Sequence, residues 1–279
     1  MMLCTTILEL NFHLEKVRQS GKTIGFVPTM GALHAGHIAL IRKAKMESDI
    51  CVSSIFVNPT QFNNPQDLAV YPRTLEADCD LLEDADCDFV FAPGANEMYP
   101  IPHQLKFDFG SLEHVMEGKF RPGHFNGVGI VVSKLFNIVK PNKAFFGQKD
   151  LQQCAVVNRL VTDLSFQLEL VICATERESD GLAMSSRNRN LTVEQRGAAP
   201  NLYKNMQICF DFLKRGKSIN DVKLFMNSEL AKIEGFELEY FEIVDRTSLE
   251  SILNYLPGKS AMCIAAFLGK TRLIDNILI

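Results

Sequence analysis

The sequence predicts an α/β protein, with a doubly wound parallel (Rossmann-like) sheet followed by a second, smaller α+β domain. Three observations predict it. Short apolar runs alternate with helix-spaced segments from residue 23 to residue 172. That alternation stops in a polar stretch at 176–190, and beyond it come two helical segments and then three strand-like runs. Strands alternating with helices build a parallel sheet, whereas segregated helices and strands build an α+β unit.

The T-I-G-F-V-P run at 23–28 is apolar and ends at proline, as a buried strand does. After a glycine-bearing turn, 37–45 carries Ile38 and Ile41 at helical spacing, and 50–57 is a second buried strand, which completes a βαβ unit. Helices follow at 74–86, 126–139 and 150–164, and strands at 88–92, 143–147 and 167–172. The break puts one domain at 1–176 and the other at 177–279, the latter with helices at 192–214 and 219–233 and strands at 237–244, 261–268 and 273–278.

Composition removes several classes of function. At 279 residues the chain has the length of about two domains, and 47% hydrophobic with 22% charged residues is globular rather than disordered. No apolar stretch approaches the ~18 residues of a membrane helix, and the first ten residues lack the features of a signal peptide, so a soluble, cytoplasmic protein is expected. Eight scattered cysteines without a C-x-x-C pair suit neither a zinc cluster nor a disulfide scaffold; they are expected to be reduced core residues. A net charge of −4 without a basic block argues against a nucleic-acid partner. All six histidines lie in the first 124 residues, which places any histidine chemistry there.

The strongest chemical signal is P-T-M-G-A-L-H-A-G-H at 28–37, where the first strand turns into the first helix. In open α/β sheets ligands bind beyond the carboxyl ends of the strands, and a helix start offers N–H groups to phosphate. His34 and His37, three apart, are placed to donate to one anion, and Gly31 and Gly36 permit close backbone approach. The stretch is neither a dinucleotide fingerprint nor a G-x-x-x-x-G-K-[ST] loop. A zinc-binding pair would need further ligands that no H-E-x-x-H or cysteine cluster supplies. Phosphate contact therefore stands ahead of metal binding and of chance.

Three further stretches carry polar groups. F-F-G-Q-K-D-L-Q-Q at 145–153 puts Lys149, Asp150 and Gln153 at a strand end, either as an ordinary helix start or as an ammonium for phosphates with acceptors for hydroxyls. M-S-S-R at 184–187 is either an interdomain turn or a set of hydroxyl and guanidinium donors; no serine elbow is present. F-V-N-P-T-Q-F at 56–62 is an Asn-Pro turn that also offers Asn58 and Gln61 to a small substrate.

The H-x-G-H spacing resembles the nucleotidyltransferase superfamily that includes the class I aminoacyl-tRNA synthetases. These stretches, with Y-P-R-T at 71–74, R-P-G-H-F at 121–125, V-S-K-L-F at 132–136, G-L-A-M-S-S-R-N at 181–188 and L-I-D-N at 273–276, resemble the pantothenate synthetase (pantoate–β-alanine ligase) family along nearly the whole chain. The resemblance implies ATP-dependent joining of pantoate to β-alanine through pantoyl adenylate, with release of pyrophosphate and AMP, magnesium as the metal, and a homodimer. It implies an ATP site at Met30, Gly31, Ala32, Leu33, His34, Ala35, Gly36 and His37, at Gly147, Gln148, Lys149 and Asp150, at Glu176 through its backbone, and at Met184, Ser185, Ser186 and Arg187. His34, His37, Lys149 and Arg187 are the implied catalytic donors; Gln61, Gln153 and Asn58 would bind pantoate and β-alanine. The metal ligands stay unassigned. Asp78 is a candidate, and an acidic helix face of Asp78, Asp80 and Asp84 explains that residue equally well.

Overall fold

A computed structural model describes residues 1–63 and 65–279. The chain begins with an edge strand, β1 (Met2–Cys4), and a helix, α1 (Ile7–Gln19), neither of them announced by the apolar pattern. The βαβ unit follows as β2 (Ile24–Thr29), α2 (Ala35–Glu47) and β3 (Ile50–Ile55). Next come α3 (Pro65–Val70), α4 (Leu75–Asp84), β4 (Phe89–Phe91), two short helices α5 (Ala95–Met98) and α6 (Met116–Phe120), and α7 (His124–Val139). The series closes with β5 (Lys143–Gly147), α8 (Leu151–Asp163) and β6 (Glu169–Cys173).

All pairings in this six-stranded sheet are parallel, in the order β1-β4-β3-β2-β5-β6. From β2 the chain winds outward through β3 and β4, then returns to the other side of β2 for β5 and β6, which puts the topological switch between β2 and β5. Ligand crevices form at such points. Pairing of β2 with β5 runs through Gly25–Lys143 and Phe26–Ala144, whereas pairing of β2 with β3 continues to Thr29–Ile55. The two switch strands thus diverge toward their carboxyl ends. Below them Val27, Leu33, Ile41, Leu82, Val90 and Phe145 form a buried cluster. Helix α7 is apolar nearly all round and buried accordingly, the pattern of an internal helix.

The rest of the chain forms α9 (Val193–Ala198), α10 (Asn201–Lys214), α11 (Ile219–Leu230) and an antiparallel sheet of β7 (Phe236–Asp245), β8 (Ser260–Leu268) and β9 (Thr271–Leu278). The single helix expected at 192–214 is two, because Pro200 has no N–H to continue the ladder and its ring crowds the preceding turn. Met206, Cys209, Val222 and Met226 from α10 and α11 bury against Ile243, Met262 and Ile264 of the sheet.

The structure divides into two units, Met1–Gly147 with Gln153–Ala174, and Gln148–Gln152 with Thr175–Ile279. The sequence reading places the break between 176 and 177; the structure also hands the Gln148–Gln152 turn to the second unit, for a reason visible at Asn276 below. Among the described residues, no helix is long and apolar enough to cross a membrane.

Candidate active site

In the first unit, the H-x-G-H turn leaves β2 at the switch point and is built by reciprocal capping. His34 is the N-cap of α2 and its Nδ1 accepts from Gly36 N at 3.2 Å, while Nδ1 of His37 accepts from His34 N at 3.4 Å. The two rings stack obliquely with centroids 4.1 Å apart. An imidazole nitrogen that accepts a backbone N–H carries no proton, so in the neutral ring the proton resides on Nε2. Both histidines are thereby held as Nε2–H donors beside the positive end of α2, an arrangement suited to phosphate oxygens.

The turn before them is fixed from below. Thr29 Oγ1 donates to Ser54 O at 2.7 Å and accepts from Gly31 N at 3.2 Å. Gly31 has φ +81°, and Ala32, although not glycine, has φ +52°. The N–H groups of Ala32 and Leu33 donate to Asp78 Oδ2 at 2.9 Å and Oδ1 at 2.8 Å. Asp78 is 2% exposed, while Asp80 and Asp84 face solvent, so Asp78 is not part of an acidic helix face. Its oxygens are engaged by the loop, an arrangement that speaks against its candidacy as a metal ligand. Ala32 and Leu33, 0% and 1% exposed, have their N–H groups engaged by Asp78, so ATP would not receive those donors.

The Asn-Pro turn lies against α7. Asn58 is 1% exposed; its Nδ2 donates to Gln61 Oε1 at 3.1 Å and to Gly127 O at 3.2 Å, and its Oδ1 accepts from Tyr99 OH at 2.8 Å. Burial pushes the Tyr99 phenol above its ordinary value, which keeps it a donor. His124 Nδ1–H donates to the Gln61 carbonyl at 2.9 Å, and Gln61 Nε2 reaches Met30 Sδ at 2.9 Å. A Cβ on Gly127 would lie 2.7 Å from Gln61 Cα, so only glycine lets the helix approach this closely. Both polar ends of Asn58 are committed within the protein, which gives it the part of holding Gln61. Gln153 stands half-buried on the first turn of α8, after β5, and Gly147 closes β5.

In the second unit, Lys149 and Asp150 sit on a 3₁₀ turn, Gln148–Asp150. Asn276 Nδ2 donates to both Gln148 O at 2.8 Å and Lys149 O at 2.9 Å, and its Oδ1 accepts from Gln148 Nε2 at 3.1 Å. These bonds draw the turn into this unit. Residues 176–184 form a small hairpin in which Met184 N donates to Glu176 O at 2.9 Å, so the Glu176 carbonyl already has a partner. Ser185 Oγ caps the turn Ser186–Asn190 by accepting from Arg187 N at 3.3 Å. A small recess is lined by Lys149, Ser185, Arg187, Asn188, Arg272 and Asp275. Asp275 is occupied by Arg177 through contacts of 2.6 and 2.9 Å and Arg272 by Glu239, so the cationic character of the recess comes from Lys149 and Arg187.

Within each unit the structure therefore clusters the residues singled out in the sequence: Met30 to His37 with Asn58 and Gln61 in the first, and Lys149 with Ser185 and Arg187 in the second. Sequence reasoning missed the supports Thr74, Tyr99, Gly127, His124 and Asn276. Thr74, His124 and Asn276 lie in the Y-P-R-T, R-P-G-H-F and L-I-D-N stretches, which carried a signal without a role. No group of three or more His, Cys, Asp or Glu side chains is arranged to hold a metal among the described residues.

A parallel sheet with an H-x-G-H turn at its switch point places the chain among the open α/β proteins whose ligand crevice lies beyond the carboxyl ends of the strands. The chain belongs to the pantoate–β-alanine ligase family, whose model matches residues 2–278. It is 47% identical to the pantothenate synthetase of Cytophaga hutchinsonii over 100% of this chain and 99% of that one, and 50% identical to the pantothenate synthetase of Phocaeicola vulgatus over 99% of each. The fold is similar to the crystal structure of pantothenate synthetase from Thermus thermophilus, with a TM-score of 0.94, 40% identity and coverage of 100% and 99%. It is also similar to the pantoate–β-alanine ligase of Francisella tularensis complexed with beta-gamma ATP and beta-alanine, at a TM-score of 0.82, 36% identity and coverage of 100% and 97%. The chain is an enzyme of the ligase class.

Proposed function

We propose that this enzyme joins pantoate to β-alanine in two steps driven by ATP. In the first, a pantoate carboxylate oxygen attacks the α-phosphorus and the bond to pyrophosphate breaks, giving pantoyl adenylate. In the second, the amine of β-alanine attacks the acyl carbon, the bond to phosphate breaks with its electron pair going to AMP, and the nitrogen sheds a proton.

The observation that carries this reading is the capped pair His34 and His37, held as Nε2–H donors at the point where the strand order reverses. The first step brings two anions together at a crowded phosphorus centre, so the protein's task is to position them and to offset charge with fixed donors. His34 and His37 supply neutral donors. Lys149, Arg187, Ser185 and Ser186 supply cationic and hydroxyl donors to the phosphates, with Asp150 accepting from the ribose hydroxyls and Met184, Gln148 and Gly147 shaping the nucleotide site. Gln61, held by Asn58, and Gln153 bind pantoate, Gln61 also serving β-alanine. The beta-gamma ATP and beta-alanine named with the Francisella tularensis relative support both ligands.

Magnesium, when bound, neutralises phosphate charge. The described side chains form no cage for it, and Mg²⁺ is commonly held by substrate phosphates and water with one or two carboxylates, so it is proposed to arrive on ATP. We place the enzyme in the cytoplasm, where its eight thiols stay reduced, and as a homodimer, to be checked by sedimentation. The reaction is tested by incubating enzyme with ATP, pantoate and β-alanine. Equal yields of pantothenate, AMP and pyrophosphate support the reading; ADP and phosphate in their place contradict it.

A further inference from the structure

We propose that Asp78, assisted by Thr74, is a positioning residue that aims the H-x-G-H turn, by occupying a backbone anion site that would otherwise be open to phosphate.

Four observations converge on it. The carboxylate receives two successive backbone N–H groups, Ala32 at 2.9 Å and Leu33 at 2.8 Å, one on each oxygen. Successive N–H groups in a turn of this kind form a concavity for anions, and here the protein fills it with its own. Second, the loop at this point is strained: Ala32 has φ +52°, a region that side chains other than glycine seldom adopt, and it persists only where surroundings over-determine it. Third, a Cβ on Gly31 would lie 2.9 Å from Asp78 Oδ2, so the glycine both reaches φ +81° and admits the carboxylate. Fourth, Thr74 stands at the N-cap of α4 but makes no capping bond; its hydroxyl donates to Asp78 Oδ2 at 3.2 Å. The Y-P-R-T and P-T-M-G-A-L stretches thus belong to one device, although Asp78 and Leu33 lie 45 positions apart in the chain.

The consequence lies one residue on. Leu33 is anchored in the core with Ile41 and Leu82, and His34 caps α2 immediately after it. The bonds to Asp78 therefore set the angle at which the chain enters the capping box, and with it the direction of both Nε2–H groups. They also close the Ala32 and Leu33 donors to the triphosphate, so that the share of the histidines in binding it is the larger. Asp78 touches no reacting atom in this scheme; it acts through His34 and His37. The inference rests on the proposed role of those histidines.

The test is Asp78→Asn, which keeps the shape but turns an NH₂ toward one of the two N–H groups, with Thr74→Val as a milder variant that leaves the carboxylate in place. Pyrophosphate release from Mg-ATP with pantoate should slow by about 10²-fold in Asp78→Asn, the scale of a misplaced reacting group. KM for ATP should move little and the half-saturating Mg²⁺ concentration should not move. Thr74→Val should slow release in the same direction by a smaller factor, and it decides the matter if Asp78→Asn does not fold. Histidine ¹⁵N spectra of the free enzyme provide a readout independent of activity: His34 and His37 should show the Nε2–H form in the unaltered protein and lose that uniform state in Asp78→Asn. Should the unaltered enzyme release no pyrophosphate, the function reading fails while the spectra still judge the positioning. Folded Asp78→Asn with unaltered release and spectra overturns the proposal, as does Thr74→Val at the full rate where Asp78→Asn is unfolded. A raised Mg²⁺ requirement with the rate restored at high Mg²⁺ also overturns it, by making Asp78 a metal ligand.

Discussion

Asn276 Nδ2 lies 2.9 Å from the carbonyl oxygen of Lys149, so an amide on β9 holds the backbone of a residue 127 positions earlier in the chain. The same nitrogen reaches Gln148 O at 2.8 Å, and Asn276 is 3% exposed. Replacing it with alanine strands two carbonyls and frees the turn that presents the Lys149 ammonium. Leaving a buried acceptor unpaired costs about 1–3 kcal/mol, and these carbonyls, which are only part-buried, fall at the low end of that. Asn276→Ala is expected to lower stability by that order in a urea titration and to slow adenylation by about tenfold or more at temperatures where the protein remains folded, the scale of a displaced catalytic group. A variant with lowered stability and an unaltered rate would confine Asn276 to a structural part.

The donors themselves are expected to matter more. Loss of one transition-state donor of this kind costs about 2.7–4 kcal/mol, or roughly 10²–10³ in rate. His37→Ala and Lys149→Ala should each slow single-turnover adenylation by that factor with circular dichroism unchanged. Near-normal single-turnover rates in either would refute its assigned role.

Gly127 permits the contact between α7 and the turn that carries Gln61. A methyl group there would lie 2.7 Å from Gln61 Cα and closer still to the Thr60 carbonyl. Overpacking of this kind costs about 1–3 kcal/mol. Gly127→Ala is expected to raise KM for pantoate as Gln61 is displaced, with KM for ATP changed little. An unchanged pantoate KM would detach Gln61 from substrate binding.

Asp180 accepts from Arg196 at 2.6 Å, and that hydrogen bond holds its carboxyl below the ordinary carboxylate value. A carboxyl lowered on folding stabilises the native state above its unfolded pKa of about 3.9, and that stability is lost as pH falls through the lower folded value. Both side chains are about a third exposed or more, so the pair is worth about 0.2–1 kcal/mol. Arg196→Ala should therefore be less stable than the unaltered protein near neutral pH, with the gap closing as pH falls below about 4. A gap independent of pH would show that Arg196 acts by packing alone.

Legibility in the sequence followed the strength of local patterning. The strands at β2, β3 and β5 are buried apolar runs with sharp ends, and the H-x-G-H stretch shows its chemistry in four residues. β1 is only three residues long, and α1 leaves Leu8 and Phe12 exposed, which blurs its apolar stripe. The break at Pro200 is written in proline's missing N–H, but the apolar spacing on either side of it reads as one continuous helix. The supports of the site were another matter. Asp78, Asn58 and Asn276 act through bonds across 45, 69 and 127 positions, and no periodicity records such pairings. Asp78 in particular had the composition of a metal ligand or a solvated helix face, and only its burial and its two backbone donors reveal a third role.

Adenylation of pantoate is held to precede capture by the amine and to be separable from it. That order is tested most directly by following pyrophosphate from ATP with pantoate alone and then with β-alanine added. The expected result is pantoate-dependent release without the amine, followed by sustained turnover and the appearance of pantothenate only once β-alanine is present. Release that ignores pantoate, or that begins only when both substrates are present, would contradict it.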